Sequence, residues 1–274
     1  MDTIPFWKMS GAGNDFILID NRDGQVASGD QPGFAAAVCR RKLSVGADGL
    51  ILIENSAGAD FAWRFYNADG SVAEMCGNGA RCAARFAFLN NIAGPKMRFE
   101  TMAGTIAATV EGDRARVNMT EPRDLEIDMG VDLDGQTLAL SRVNTGVPHA
   151  VVPVDDLEAV DVLGLGRRLR FHPVFGPAGT NVNFVHRQER LLAVRTYERG
   201  VEDETLACGT GCTAVAIVAA ARWGLTSPVS LTVRSGSRLR IFFTVRDGAY
   251  TDVVMEGDAR IIYKGLLWPE AVTY

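Results

Sequence analysis

The chain has 274 residues, of which 47% are hydrophobic and 22% charged, and its formal net charge is -5 at pH 7. This composition is typical of one or two globular domains, and the acidic balance argues against a nucleic-acid partner. Because no apolar run approaches the roughly 18 residues of a membrane span and residues 1–8 lack a signal peptide's apolar stretch, we expect a cytoplasmic protein with no membrane partner.

The predicted elements are short strands and one alanine-rich helix in each half of the chain. In chain order, the first half has a strand at 61–66, a helix at 80–89, and strands at 97–101, 105–110 and 115–119. The second half has a short helical region at 155–169, a strand at 192–197, a helix at 212–221, and strands at 229–233, 239–245 and 250–255. The helix at 212–221 is nearly all apolar, so we expect it to be buried on every side.

The two halves repeat one arrangement of glycine-rich blocks. Cys-Gly-Asn-Gly at 76–79 returns as Cys-Gly-Thr-Gly at 208–211, which is 132 positions further along. Three more pairs keep nearly the same offset, namely 11–14 with 146–149, 46–48 with 179–181, and Gly104 with Gly236. Since four blocks with one offset are hard to obtain by chance, the chain is predicted to contain two copies of one fold.

The repeat predicts the fold class and the domain organisation. We expect an α/β protein of two pseudo-symmetric domains, each a curved, mostly antiparallel sheet or barrel around a central helix, with the active site in the cleft between them. The N-terminal domain is predicted at 1–120, with the C-terminal segment 264–274 returning to it, and the second domain at 121–263. The boundary falls at a polar stretch containing Pro122.

A cysteine directly before a helix, followed by glycines, has a specific chemical environment. The unpaired N–H groups and the positive end of the helix dipole stabilise a thiolate, which lowers its pKa below the usual value of about 8.5. The same amides bind a carboxylate, and glycines let it approach closely. A single cysteine of this kind could equally be an inert buried residue at the start of a core helix.

Two such cysteines, Cys76 and Cys208, in two copies of one fold indicate a two-base reaction. If the halves face each other, one thiolate removes a proton from a carbon while the opposite thiol delivers one to the other face. The helix N-termini would stabilise the charge that develops on a neighbouring carboxylate. This layout predicts an amino-acid racemase or epimerase that needs neither a metal nor another cofactor.

Four sequence motifs point to one family within this class of enzymes. They are Met-Ser-Gly-Ala-Gly-Asn-Asp-Phe at 9–16, Phe-Tyr-Asn-Ala-Asp-Gly-Ser at 65–71, Cys-Gly-Asn-Gly-Ala-Arg-Cys at 76–82, and Glu-Arg-Gly at 198–200 before Ala-Cys-Gly-Thr-Gly at 207–211. In order and over essentially the whole chain, they resemble the diaminopimelate epimerase family. The resemblance implies interconversion of LL- and meso-2,6-diaminopimelate, a small-molecule amino acid on the route to lysine, and it suggests a homodimer.

The resemblance also implies roles for individual residues. Cys76 and Cys208 would be the acid and base, with His149 and Glu198 near them to accept protons or tune the thiol pKa values. The residues implied to bind substrate are Gly77, Asn78, Gly209 and Thr210 for the reacting carboxylate, and Asn14, Asn67, Asn181, Glu198 and Arg199, chiefly for the distal end. Arg199 suits a carboxylate because its guanidinium can bind bidentately.

Two positions depart from the family pattern. Val147 stands where many members have Asn, an amide that would help to hold the distal carboxylate, and Gly49 stands where some members have Gln. Val147 therefore leaves open a racemase or epimerase of another amino acid on the same scaffold. An isomerase that does not epimerise is disfavoured, because it would not need both cysteines.

Other classes of protein fit the remaining residues less well. Five scattered cysteines do not form a disulfide framework, and three histidines without a paired spacing do not predict a metal site. A dithiol redox protein would need Cys76 and Cys208 close enough to bridge. A nucleotide binder is disfavoured because no glycine loop has the third glycine of a dinucleotide fingerprint or a following Gly-Lys-Ser/Thr. Cys39, Cys82 and Cys212 need no role, and the last two fall within the predicted helices.

Overall fold

The computed structural model describes residues 3–189 and 191–273. The chain divides into two units, Met1–Val117 with Gly257–Tyr274 and Asn118–Glu256. Of the residues in the predicted domain ranges, Met1, Asp2, Arg190 and Tyr274 lie outside the described part. The return to the first unit begins at Gly257, against residue 264 in the prediction, because the last strand already pairs with the first at Arg260 and Ser10.

Strands and helices are numbered here in chain order. The strands are β1 Ile4–Gly11, β2 Asn14–Asp20, β3 Gly49–Glu54, β4 Phe61–Asn67, β5 Lys96–Thr101, β6 Gly104–Glu111, β7 Arg114–Asn118, β8 Arg123–Leu133, β9 Gln136–Asn144, β10 Pro148–Pro153, β11 Asn181–Gln188, β12 Leu191–Glu198, β13 Asp203–Thr205, β14 Val229–Thr232, β15 Arg238–Arg246, β16 Ala249–Asp258 and β17 Arg260–Leu267. The helices are α1 Gln31–Val38, α2 Gly77–Leu89, α3 Val162–Arg170 and α4 Gly209–Trp223.

The strand order is the same in the two units. In the first unit the hydrogen-bonded neighbours run β17, β1, β2, β3, β4, β5, β6 and β7, antiparallel except for the parallel pairs β2–β3 and β4–β5. In the second unit they run β8, β9, β10, β11, β12, β14, β15 and β16, with parallel pairs at β10–β11 and β12–β14. The predicted duplication is therefore confirmed at the level of topology.

One helix lies inside the sheet of each unit. In the second unit α4 contacts strands from both ends of the strand order, β8 to β11 as well as β14 and β15, so the sheet must curve around it. Every residue of α4 from Gly211 to Ala219 is buried, as its nearly all-apolar sequence predicts. In the first unit α2 packs on β1, β2, β3 and β6. The predicted class, a curved and mostly antiparallel sheet around a central helix in each of two domains, is confirmed.

The outer face of each sheet carries a further helix. In the first unit α1 covers an apolar cluster that includes Ile17, Leu50 and Tyr66. The sequence analysis did not identify this helix, although Pro32 lies in its first turn, where proline is tolerated. In the second unit α3 begins only at Val162, so the prediction of helix from 155 is wrong for its first residues. Asp161 ends the preceding loop because its carboxylate accepts the N–H of Gly164 and caps the helix.

Within residues 3–189 and 191–273, no helix has the length and apolar character that a membrane crossing requires.

Candidate active site

Each central helix begins directly after a cysteine. Cys76 and Cys208 occupy the N-cap positions of α2 and α4 with extended backbones, at φ −145° and ψ 116° and at φ −117° and ψ 112°. Their carbonyl oxygens accept the first helical hydrogen bonds, from Ala80 at 2.8 Å and Cys212 at 2.9 Å. Both thiols therefore lie at a helix N-terminus, where first-turn amides and the helix dipole favour an anion.

In the first unit, polar side chains form a chain of hydrogen bonds behind Cys76. The carboxylate of Asp48 accepts from Asn14 Nδ2 at 3.1 Å, and Asn14 Oδ1 accepts from Asn78 Nδ2 at 2.6 Å. Asn78 Oδ1 in turn accepts from Arg81 at 2.9 Å. The chain orients both amides, because each oxygen faces a donor and each nitrogen an acceptor.

Arg81 anchors this chain from inside the sheet. Its side chain is 0% exposed and also donates to the carbonyl oxygens of Asp258 at 3.2 Å and Gly77 at 3.3 Å. A buried guanidinium needs such acceptors, since leaving its donors unpaired is costly. The first turn of α2 is thus held by a charged group that the sequence analysis did not single out.

Asn67 lies on the same sheet edge but in a separate contact. It ends β4 opposite Gly49, and β2 begins nearby at Asn14. Its Nδ2 donates to the hydroxyl of Ser71 at 3.0 Å within its own turn. Gly49 has no room for a side chain, because a Cβ there would lie 2.6 Å from both Phe65 Cε2 and Tyr66 O. Any larger side chain at this position would require both neighbours to move.

In the second unit, an asparagine ties three strands together at the corresponding edge. Asn181 begins β11, and its Oδ1 accepts the backbone N–H of Arg199 at 2.9 Å while its Nδ2 donates to Pro148 O at 3.1 Å. Its amide therefore joins the starts of β10 and β11 to the residue that follows β12. The structure brings Asn181, Arg199 and His149 together here, because His149 pairs with Asn181 across β10 and β11.

His149 is a fully buried, uncharged histidine. It is 1% exposed, and burial together with the positive charge of Arg199 lowers the pKa of His149 to about 3. Its Nδ1 lies 3.1 Å from Asn183 Nδ2, which also donates to Ala150 O at 2.9 Å. The oxygen of Asn183 accepts from the hydroxyl of Thr196 at 3.0 Å.

Glu198 and Cys208 share an environment that favours their protonated forms. Burial raises the pKa of Glu198, and the hydroxyl of Thr205, which donates to Glu198 Oε2 at 2.8 Å, opposes this. Burial and then the charge of Glu198 raise the pKa of the Cys208 thiol. The hydroxyl of Thr210, 3.4 Å from Cys208 Sγ, and the amide of Gly211 lower it. At Cys208 burial therefore outweighs the effect of the helix N-terminus, and the expectation of a lowered thiol pKa is wrong for this cysteine.

The other three cysteines lie on helices or directly after one. Cys39 follows α1, Cys82 lies within α2 and Cys212 within α4, and all three are buried. Burial raises the pKa of both Cys39 and Cys82 to about 12. All five cysteines belong to the described residues, and none of them is in a disulfide. Among the described residues there is also no group of three or more His, Cys, Asp or Glu side chains that could hold a metal ion.

Several polar residues of these networks were missed in the sequence analysis. Arg81 could have been found, because a charged residue inside an alanine-rich buried helix needs a partner. Asn183 lies on buried strand β11, where its polar character gives a weak signal. Asp48 could not have been identified, since its contact with Asn14 depends on how β2 and β3 pair.

Comparison with known proteins identifies the family. The family model for diaminopimelate epimerase matches residues 6–125 and 141–262. The diaminopimelate epimerase of Aquifex aeolicus is 48% identical over 282 residues, covering 98% of this chain and 99% of that protein. These matches place the chain among the isomerases, in the class of epimerases. It belongs to the diaminopimelate epimerase family, which confirms the resemblance seen in the sequence.

Solved structures share the fold at low sequence identity. A phenazine biosynthesis protein of the PhzF family from Bacillus anthracis superposes with a TM-score of 0.75 at 14% identity, covering 98% of this chain and 100% of that one. A hydroxyproline epimerase from Agrobacterium vitis gives a TM-score of 0.65 at 16% identity, covering 99% and 95%. At these identities the likeness concerns the fold alone.

Proposed function

We propose that this chain interconverts LL- and meso-2,6-diaminopimelate through Cys76 and Cys208. The thiolate of one cysteine takes the α-proton, the electron pair of the broken C–H bond passes to the α-carbon and its carboxylate, and the thiol of the other cysteine returns a proton to the opposite face. The α-carbon is inverted, the two sulfurs exchange protonation states, and nothing is oxidised or reduced. The scheme as proposed draws on no cofactor.

The observation that carries this proposal is the matching position of the two cysteines. Each is the N-cap of the buried central helix in a unit of the same topology. The duplication therefore supplies two equivalent thiols, each beside amides that can hold a carboxylate. That both thiols reach one α-carbon in the working enzyme is part of the proposal.

The remaining site residues fit the two ends of such a substrate. The amides of Gly77 and Asn78 and those of Gly209 and Thr210 would hold the reacting carboxylate at the helix starts. For the distal end, we assign the polar residues at the strand edges, Asn14, Asn67, Asn181, Glu198 and Arg199. His149 and Glu198 would adjust the charge and protonation of the thiols. The family name further supports a place in lysine biosynthesis, and we propose a cytoplasmic homodimer.

The test is isotope exchange in heavy water. Enzyme is incubated with LL-diaminopimelate in D₂O, and NMR follows deuterium at the α-carbon and formation of the meso form. The wild type should incorporate deuterium and epimerise, whereas Cys76→Ser and Cys208→Ser should each lose nearly all epimerisation. Cys39→Ala, which removes a buried thiol behind α1, is the matched control and should retain activity. Full turnover by either serine variant would contradict the two-base scheme.

Val147 supports a second candidate, an epimerase or racemase of another amino acid. Its apolar side chain stands one residue before Pro148, at the edge where Asn181 and Arg199 meet. If distal recognition were lost there, LL-diaminopimelate would show no exchange while a smaller amino acid would. The same D₂O assay with a panel of amino acids separates the two candidates.

A further inference from the structure

A buried polar group links three neighbouring strands behind the start of α4. It consists of His149 on β10, Asn183 on β11 and Thr196 on β12, which are 1%, 0% and 3% exposed. The two-base scheme uses His149 but gives no role to Asn183 or Thr196. Burying a side-chain amide in this way costs free energy unless its hydrogen bonds are satisfied, so the contacts of Asn183 indicate what the group does.

The orientation of the Asn183 amide is determined by its neighbours. One side of the amide faces Ala150 O at 2.9 Å, and a backbone carbonyl can only accept, so the nitrogen must lie on this side. The other side faces the hydroxyl of Thr196 at 3.0 Å, which can donate to the oxygen. The nitrogen that meets Ala150 O is therefore also the atom 3.1 Å from His149 Nδ1.

This orientation determines the tautomer of His149. Because Asn183 Nδ2 can only donate, His149 Nδ1 must offer its lone pair, and a neutral imidazole then carries its proton on Nε2. The pKa of His149, lowered to about 3 by burial, keeps the ring neutral at physiological pH. His149 Nε2 is itself buried, and no described residue accepts from it. A buried N–H without an acceptor is costly, which points to an acceptor on a bound molecule.

Asn183 has no freedom to turn away from His149. A Cβ at Gly211, in the first turn of α4, would lie 2.3 Å from Asn183 Oδ1, so the helix start presses directly on the amide. The same added Cβ would be 3.3 Å from the Cβ of Cys208. The His149–Asn183 pair is thus packed against the turn that carries the catalytic thiol of this unit.

We infer that Asn183 is a positioning residue that holds His149 as its Nε2–H tautomer, so that His149 donates a hydrogen bond to an anion during the reaction and is not a base in it. The anion would be the substrate carboxylate or a thiolate, which is where this inference rests on the proposed function. A ring with its proton on Nε2 and its Nδ1 occupied by Asn183 has no lone pair with which to take a proton.

The first test is the tautomer itself, in enzyme labelled with ¹⁵N-histidine. NMR should show His149 with a pyridine-type Nδ1 and a protonated, pyrrole-type Nε2 in the wild type. Asn183→Asp keeps the shape but presents only acceptors, so the proton should move to Nδ1 or the ring should become doubly protonated. Protonation of Nδ1 in the wild type would overturn the inference, whether or not any variant folds.

The second test is kinetic and uses a matched control. Asn183→Asp should lower kcat about 100-fold or more with a smaller change in KM, and should alter the pH profile. Asn144→Asp is the same chemical change at the end of β9, where the new carboxylate still accepts the N–H of Gly146. It should leave kcat and the pH profile unaltered. An Asn183→Asp enzyme with the wild-type kcat and pH profile would refute the positioning role.

The two proposals fail in different ways. If the wild type shows no isotope exchange with diaminopimelate, the proposed function is wrong, while the NMR result for His149 stands by itself. If the wild type epimerises but carries its proton on Nδ1, only the inference about Asn183 is wrong. Thr196→Val, which removes the hydroxyl that faces Asn183 Oδ1, should weaken the tautomer preference in the same spectra, and an unchanged preference would show that Thr196 is not part of the device.

Discussion

Acidification should destabilise the protein through His149, because this histidine is neutral when folded and charged when unfolded. Burial lowers the pKa of His149 to about 3, whereas the unfolded chain has the ordinary value of 6.5. As the pH falls, the unfolded state binds a proton that the folded state does not. The contribution of His149 to stability is therefore complete above pH 6.5 and is lost progressively as the pH falls towards 3.

The magnitude follows from the two pKa values. Each unit of difference corresponds to about 1.4 kcal/mol, so the whole contribution is on the order of 5 kcal/mol. At about pH 5 the unfolded chain is already almost fully protonated at His149, and roughly 2 kcal/mol of the free energy of unfolding should have been lost relative to pH 7. His149 is 1% exposed, so solvent screens little of this effect.

The assay compares wild type with His149→Gln, which cannot titrate. Urea unfolding gives the free energy of unfolding of each protein at pH 7 and at pH 5. The difference between these two values does not contain the cost of the substitution itself, because that cost is present at both pH values. The wild type should lose about 2 kcal/mol more than His149→Gln. Histidine NMR gives a direct check of the titration of His149. Equal pH dependence in the two proteins, or titration of the His149 resonance near pH 6.5, would refute this reasoning.

Two further substitutions test the helix starts. Gly211→Ala should destabilise the protein by a few kcal/mol, because its Cβ would lie 2.3 Å from Asn183 Oδ1. Gly209→Ala is its control and should cost less, since only the flexible end of Met255 lies near, and comparable melting temperatures for both would contradict the packing argument. Arg81→Met should lower the free energy of unfolding by about 3 kcal/mol or more, because it strips donors from Asp258 O, Gly77 O and Asn78 Oδ1. It should also raise KM as Asn78 loses its anchor, and a stable variant with the wild-type KM would show that Arg81 does not organise the site.

The architecture could largely be predicted from the sequence because the sequence contains two copies of the same arrangement of motifs. The offset between residues 76–79 and 208–211 predicted two copies of one fold, and the strand order of the two units bears this out. Alternating strands and the apolar helix α4 were found because burial imposes a regular period on the residue pattern. Short helices on the outer face of a sheet do not show such a regular residue pattern. Helix α1 was not predicted because it has only eight residues and contains Gly33, and its packing on an apolar cluster outweighs this weak local preference.

The networks around the thiols could be predicted only in part. The sequence motifs identified Asn14, Asn78 and His149 as site residues. They did not identify the groups that orient these side chains. Asn183 contacts His149 only because β10 and β11 pair in parallel with Val151 opposite Asn183. This register cannot be deduced from the sequence of either strand. Asp48 reaches Asn14 in the same way, through the pairing of β2 with β3.

The two copies meet the same structural requirement with different chemical groups. The carbonyl of the residue after each cysteine accepts a side-chain hydrogen bond, from Arg81 on Gly77 and from Thr213 on Gly209. Asn78 then turns towards Asn14, whereas its counterpart Thr210 turns towards the sulfur of Cys208. Duplication thus places a thiol at each helix start but leaves its surroundings free to diverge. For that reason the repeat predicts where the two cysteines lie, while the groups that surround each thiol depend on residues that differ between the two copies.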